Sequence, residues 1–529
     1  MSEDRTLELS SVELRGLIDA ATDRILAYIE SLPRQPSEDS AGGAALARSL
    51  REPLPETGQP SGELLDLLFE RVIPKGFNTA GPGYLAYIPG GGVPHAAVAD
   101  LIAGATNRYV GVFAAAPGLA QIETNVVSWF CQIVGYPETA RGILTTGGSL
   151  ANFSAVVTAR RERLPENFLS GTIYASDQVH HSIQKAAMLA GFPEGNVREI
   201  PSDEAFRIRV EELARAVAAD RSAGFAPFLV VGNAGSVNTG AVDDLAALAD
   251  IAARERLWFH VDGAYGGFFL LTERGRSRMA GVERSDSIVL DPHKSLFLPY
   301  GVGSLLVRDG DALKRAHALS AAYLPSMQED PDLVDFNQIS PELSRSWRGL
   351  RVWLPIKMHG IGSFRRNLDE KLDLAAWATE ELRGIPDIEI LAEPQLSIVA
   401  FRWKKAGLAA EELNRINRDL LDRINGKKRI YLTGTMLGGP SPPPSPAGRG
   451  RRGPSPPPSP AGRGRRGPSP LPSPAGRGRR RPSPLPSPAG RGSGDCFAIR
   501  ICVLSFRTHA ERMREGMEDI RAALAEMEG

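Results

Sequence analysis

Between residues 140 and 310, short apolar runs alternate with helical patterns, and this alternation limits the fold more than any other feature of the chain. The strand-like runs are Gly142–Thr146, Gly171–Ala175, Pro227–Gly232, Leu257–Asp262, Ser287–Leu290 and Gly303–Val307. Helical spacing of apolar residues covers Leu150–Arg163 and, roughly, 181–190, 208–219 and 243–255. Runs this apolar, with little polar alternation, are buried on both faces. Strand and helix in alternation then predict a mainly parallel sheet with helices on both sides. Open sheets of that kind carry their reactive groups where the strands end.

Several strand ends carry polar chemistry. Asp291-Pro292 stops the run Ser287–Leu290, because proline fixes its own φ and steers the residue before it away from helix. His293 and Lys294 follow at the turn. An amine there can form a Schiff base with a carbonyl if its pKa is lowered; most lysines, however, are solvated surface groups. Gly147-Gly148-Ser149 opens a helix and offers free N–H groups and a hydroxyl suited to a phosphate, although such a triplet is often only a turn. His180, after the strand ending near Ala175, could face a planar cofactor or handle protons; a helix-capping histidine fits locally as well. Asp262 closes an apolar strand, a costly place for a carboxylate unless a cation pairs with it. The pyridinium nitrogen of a pyridoxal ring is such a cation. Gly235-Ser236-Val237-Asn238-Thr239-Gly240 forms a polar lip after the preceding strand.

In this order, the set resembles pyridoxal-phosphate enzymes of the aspartate-aminotransferase fold, and within them the group II decarboxylases, the aromatic-L-amino-acid decarboxylase family. Asp291-Pro292-His293-Lys294 is similar to the family's Asn-Pro-His-Lys. His260-Val261-Asp262-Gly263-Ala264-Tyr265, Asp177-Gln178-Val179-His180, Thr145-Thr146-Gly147-Gly148-Ser149 and Tyr87-Ile88-Pro89-Gly90-Gly91-Gly92 also match. The resemblance spans about residues 8–439 and 495 onward. It implies an α/β fold of the pyridoxal-phosphate-dependent transferase type (fold type I) with a mainly parallel seven-stranded sheet. A helical N-terminal arm would occupy 1–80, a large cofactor-binding domain 81–365, and a small α+β domain 366–529.

By the same resemblance, the cofactor is pyridoxal 5′-phosphate and the reaction is decarboxylation of an L-amino acid, aromatic by family, to the amine and carbon dioxide. Lys294 would hold the cofactor as a Schiff base, His180 would stack on its ring, and Asp262 would pair with the ring nitrogen. Ala264 would pack beneath the ring, with Gly147, Gly148, Ser149, Asp291 and His293 around the phosphate and the lysine. Tyr84, Tyr87, Gly90, Phe113 and Phe336 are candidates for a substrate pocket, though on the residues alone packing is the preferred reading of the tyrosines. Two departures stand out. Phe336 replaces a loop tyrosine, a change that this family associates with aldehyde synthases, and Val237 replaces a threonine. Three alternatives remain: an aldehyde synthase, a transaminase, and a non-catalytic scaffold.

Ser10 and Glu13 form a capping box. Leu14, Ile18, Ala21, Ile25, Tyr28 and Ile29 then recur at helical spacing, predicting a long amphipathic helix with no core of its own. Residues 33–60 read as a loop, and Glu63–Val72 as a second helix. Such an arm packs on something else, and family members are homodimers. Helices are also expected at about 93–108, 117–135, 346–365, 367–384, 409–424 and 507–527.

Charge is distributed unevenly. The chain balances 62 basic against 62 acidic residues, but residues 440–494 hold eleven arginines and no acid. These residues are a fourteen-residue repeat beginning at Pro440, Pro454, Pro468 and Pro482. With almost no large apolar residue, the repeat predicts a disordered, polyproline-like insert. It separates Ile430–Thr435 from Phe497–Val503, which read as one hairpin with an expanded tip. Its arginines offer the only route to nucleic acid and its prolines a docking site for a proline-recognising domain, but near-identical units favour an inert duplication. Three cysteines without CxxC spacing argue against a disulfide scaffold or a metal site. The charged N-terminus and the absence of a long apolar run point to a soluble, cytoplasmic protein with no membrane partner.

Overall fold

The computed structural model describes residues 7–318, 330, 332–438 and 495–528. The Pro/Arg repeat at 440–494 lies outside them. Seven strands form the main sheet: β1 (Arg141–Thr145), β2 (Gly171–Ser176), β3 (Val197–Ile200), β4 (Ala226–Asn233), β5 (Trp258–Asp262), β6 (Ser287–Leu290) and β7 (Gly303–Val307). Their order across the sheet is β1-β7-β6-β5-β4-β2-β3. All neighbours are parallel except at β7, which runs antiparallel to both β1 and β6. The C-terminal ends of the other six strands therefore share one edge.

The apolar runs are explained by burial on both faces. Consecutive residues such as Ile143 and Leu144, Val230 and Val231, or Val289 and Leu290 enter opposite core clusters. Helices Gly148–Arg163, Ser182–Leu189, Val210–Ser222 and Leu245–Glu255 make the crossovers. Behind β1, Glu123 and Arg345 form an ion pair of 2.5 Å with both side chains fully buried. Arg345 and Arg348 also donate to the Leu144 carbonyl at 2.9 and 3.1 Å, fixing the strand end that leads into Gly147.

A second, four-stranded antiparallel sheet comprises β8 (Ile388–Ala392), β9 (Ile398–Trp403), β10 (Thr433–Leu437) and β11 (Cys496–Cys502), in the order β8-β9-β11-β10. The β10–β11 pairing runs from Thr433 opposite Arg500 to Leu437 opposite Cys496. The two runs flanking the repeat are thus one hairpin. Helices Ile361–Arg383, Ala410–Gly426 and Ala510–Glu528 share a core with this sheet. Helix Ile361–Arg383 crosses position 365: Phe364, Leu368 and Leu372 pack into the main core, and Leu374, Ala375, Ala378 and Leu382 into the smaller one.

The N-terminal helix, Ser11–Ser31, carries the expected capping box and has no buried residue. Leu14, Ile18, Ile25 and Leu26 are exposed along it. Three local expectations need correction. The 33–60 segment contains a helix, Gly43–Ser49. The second helix of the arm is α-helical only over Ser61–Asp66 and continues as a π-helix over Leu67–Val72. The break between the helices expected at 346–365 and 367–384 falls earlier, at Gly360 where φ is +68°, giving Gly349–His359 and Ile361–Arg383. Among the described residues, no helix is long and apolar enough to cross a membrane.

Candidate active site

A cavity of about 320 Å³ opens at the shared strand edge. Gly147, Gly148, Ser149, His180, Asp262, Ala264, Asp291, His293 and Lys294 all line it. These residues come from four separate strand ends, so only the sheet topology brings them together. Lys294 lies in the one-turn helix Pro292–Ser295 after β6, begun by Pro292. Its Nζ is 3.0 Å from Asp291 Oδ2. His293 donates from Nδ1 to the Val302 carbonyl at 2.6 Å, which leaves its Nε2 3.8 Å from Asp291 Oδ2. Asp291 Oδ1 is buried without a hydrogen-bond partner.

Asp262 ends β5 beside Asn233 of β4 and Val289 of β6. Its carboxylate is buried and accepts from Asn152 Nδ2 at 3.0 Å and from the Ala264 N–H at 3.1 Å. His180 is exposed on the cavity side, yet enough protein crowds its ring for desolvation to hold its pKa below the ordinary histidine value. Lys294 acts in the same direction and Asp262 against it. Ser182 approaches His180 Nδ1 with both its hydroxyl, at 2.7 Å, and its N–H, at 3.2 Å. A nitrogen that accepts from a backbone N–H carries no proton, so the ring proton is assigned to Nε2.

The cradle fits a phosphate-bearing group. Helix Gly148–Arg163 starts at the cavity, and its first N–H groups have no carbonyl in the preceding turn to bond. A Cβ on Gly148 would lie 2.8 Å from Asp291 Oδ2 and 3.3 Å from Ala264 Cβ, so only glycine leaves the cradle open. The donor set therefore suits a planar, phosphorylated aldehyde: amine, acid, imidazole and helix N-terminus converge on one space.

The substrate-pocket candidates are placed differently, and none lines this cavity. Tyr84 is buried and stacks on Tyr431 at 5.9 Å. Tyr87 is 53% exposed. Gly90 backs directly onto the His293 and Lys294 carbonyls. Phe113 donates its N–H to Asp335 at 2.7 Å. Phe336 is buried, with the Arg345 guanidinium 4.9 Å above its ring.

The sequence reading missed Asn152, Ser182 and Asn233, which also line the cavity. Signals for two of them existed. Asn152 is one turn beyond Gly148 on the same helix face, and Asn233 is a polar residue closing an apolar strand, as Asp262 is.

Comparison with known proteins agrees with this geometry. The family model described as the pyridoxal-dependent decarboxylase conserved domain matches residues 47–404. Over 439 residues the chain is 35% identical to an aromatic-L-amino-acid decarboxylase of Bacillus atrophaeus, covering 83% of this chain and 91% of that one. It is 29% identical to tryptophan decarboxylase 1 of Oryza sativa subsp. japonica, covering 82% and 89%. In fold it is similar to the crystal structure of Oryza sativa TDC with PLP and tryptamine, with a TM-score of 0.83, 24% identity and 99% of both chains covered.

Proposed function

The chain belongs to the pyridoxal-dependent decarboxylase family and is a pyridoxal 5′-phosphate-dependent amino-acid decarboxylase; from that premise, we propose that it acts on an aromatic L-amino acid and that Lys294, Asp262 and His180 carry the reaction. The substrate class rests on the relatives, named as aromatic-L-amino-acid and tryptophan decarboxylases. The observation that carries the residue roles is the convergence of lysine, aspartate, histidine and helix N-terminus on one 320 Å³ cavity.

The roles follow from what each group can do. Gly147, Gly148 and Ser149 would hold the phosphate through N–H groups and a hydroxyl at the helix N-terminus. Asp262 would pair with the ring nitrogen and keep it protonated. Ala264 would pack beneath the ring and His180 would face it. Lys294 would hold the aldehyde carbon through its amine. When bound, the cofactor supplies an electron sink for the pair left behind by departing carbon dioxide. His180 Nε2–H would place a hydrogen-bond donor on the cavity side. Asp291 would position Lys294 through its 3.0 Å contact.

We also propose a homodimer. A second copy would cover the apolar residues exposed on the arm (Leu14, Ile18, Ile25) and on helix Ala96–Thr106 (Val98, Leu101, Ile102). In this account Tyr87 and Phe113 meet substrate only once that copy is in place. Light scattering checks the mass, and a monomer would refute the dimer. Incubating cofactor-loaded protein with an amino-acid panel, while measuring carbon dioxide, amine and hydrogen peroxide, tests the reaction. The expected result is amine and carbon dioxide in equal amounts from tyrosine, tryptophan or dihydroxyphenylalanine. Peroxide with aldehyde would identify a synthase instead, and turnover of acidic amino acids alone would overturn the substrate class.

A further inference from the structure

We propose that Trp258, Ser287, His260, Asn152 and Ser182 form one directional hydrogen-bond relay that orients Asp262 and fixes the orientation and tautomer of His180. Residues 258, 260 and 262 alternate along β5 and so share one face of the sheet. Ser287 of β6 sits beside His260 in the parallel register, and Asn152 reaches that face from helix Gly148–Arg163. The links are Trp258 Nε1 to Ser287 Oγ, 2.8 Å; Ser287 Oγ to His260 Nδ1, 2.8 Å; and His260 Nε2 to Asn152 Oδ1, 2.9 Å. Asn152 Nδ2 then divides the path, 3.0 Å to Asp262 Oδ2 and 2.8 Å to Ser182 Oγ, and Ser182 Oγ continues 2.7 Å to His180 Nδ1. Every side chain from Trp258 to Asp262 on this path is buried.

The direction of the relay is forced from both ends. An indole N–H can only donate and a carboxylate can only accept. Asn152 must therefore turn its nitrogen to Asp262 and its oxygen to His260. That places the His260 proton on Nε2 and makes Nδ1 an acceptor of the Ser287 hydroxyl, whose lone pair takes the Trp258 N–H. The second Asn152 N–H occupies a Ser182 lone pair, and the Ser182 N–H, 3.2 Å away, makes His180 Nδ1 an acceptor, so the Ser182 hydroxyl proton points at that nitrogen. Reversing any link between Trp258 and Asp262 would set two donors or two acceptors face to face in a dry interior, where an unmade bond is expensive. The amide thus orients the Asp262 carboxylate and, together with the Ser182 N–H, keeps the proton of the neutral His180 ring on Nε2. The five relay members are positioning residues: they act through Asp262 and His180.

Mutual satisfaction of core polar groups alone would lower stability when a link is cut, without moving the His180 titration. The relay moves it, because a protonated Nδ1 cannot accept from Ser182. The other charged or titratable groups facing His180 are Asp262, Lys294, Asp291 and His181, and Ser182→Ala leaves all of them in place. The importance of His180 rests on the proposed function, but its tautomer can be read without it, on cofactor-free full-length protein carrying ring-¹⁵N histidine. The expected result is a neutral His180 protonated at Nε2, with a midpoint that rises by about half a pH unit in Ser182→Ala. Ser182→Thr, which keeps the hydroxyl, should restore the wild-type midpoint. In the holoenzyme, the acid limb of kcat/KM should shift likewise. A wild-type His180 proton on Nδ1, or equal midpoints in wild type and Ser182→Ala, would overturn the relay. If Ser182→Ala does not fold, the wild-type tautomer decides alone. A shifted midpoint without decarboxylation would leave the relay standing and the functional reading refuted.

Discussion

Gly90→Ala is the sharpest steric test of how the Gly-rich strap supports the lysine. A Cβ built on Gly90 would lie 2.3 Å from the His293 carbonyl oxygen, 2.9 Å from the Lys294 oxygen and 3.1 Å from the His293 carbonyl carbon. All three are backbone atoms and cannot rotate away. Because Cβ contacts under 3.0 Å essentially never occur, strap and turn must part by about 0.7 Å or more. Both sides are tied. Arg507 Nη1 holds the Gly91 carbonyl at 2.7 Å, and the Val93 N–H bonds Phe297 O at 2.7 Å. The turn is held by His293 to Val302 O, by the Leu298 N–H to Pro292 O at 3.1 Å, and by the Ser295 hydroxyl to Tyr265 O.

Displacement therefore falls on the segment carrying Lys294. Overpacking of this kind costs about 1–3 kcal/mol of stability, and a displacement approaching an ångström at a reacting group lowers kcat by up to about 10²-fold. Urea unfolding and steady-state carbon dioxide release measure the two effects. Gly43→Ala, with nothing within 4 Å of its Cβ, serves as the control with no expected loss. Unchanged stability with kcat within twofold of wild type in Gly90→Ala would refute the role of the strap.

Other outcomes follow from single groups. Asp262→Asn removes the only carboxylate at the end of β5 and should reduce kcat by about 10²–10³-fold, as expected when one partner of a buried charge pair is lost; a loss below threefold would contradict its role. Burial, with a smaller push from Arg161, holds His317 at a pKa of about 4, below the ordinary 6.5. The unfolded chain then takes up the proton first, so stability is full above pH 6.5 and falls through the window from 6.5 to about 4. At pH 5 this group alone should cost roughly 2 kcal/mol relative to pH 7. His317→Gln should shrink the pH 7-to-5 difference in urea unfolding by that amount, and an unchanged difference would contradict the assignment. Replacing residues 439–494 with a four-residue turn between Leu437–Gly438 and Asp495–Cys496 should stabilise the chain by about 2 kcal/mol through loop-closure entropy. Activity should be retained; loss of activity with an intact fold would assign the repeat a catalytic role.

Most of what positions the site was legible in the sequence, for identifiable reasons. Strands buried on both faces have no alternation to blur them, so Gly171–Ser176, Trp258–Asp262 and Ser287–Leu290 stood out as apolar runs. β3 escaped because an edge strand faces water: Val197-Arg198-Glu199-Ile200 has a polar centre. Gly360 divides two helices through its positive φ, which composition does not encode. The nine residues assigned to the cofactor converged because each follows a strand on the same edge. The pocket candidates did not. Tyr84 meets Tyr431, far away in sequence, and Phe336 lies buried under Arg345; no local pattern identifies either contact. The relay behind Asp262 was hidden for the same reason. His260 and Asn152 are 108 residues apart, and neither spacing nor periodicity connects them.

The most direct test of the central claim is borohydride reduction of the pyridoxal-phosphate-loaded protein, followed by peptide mass mapping. A single pyridoxyl group on Lys294, absent from Lys294→Ala, is the predicted result. A pyridoxyl group on another lysine, or none at all in protein that has bound the cofactor, would contradict it.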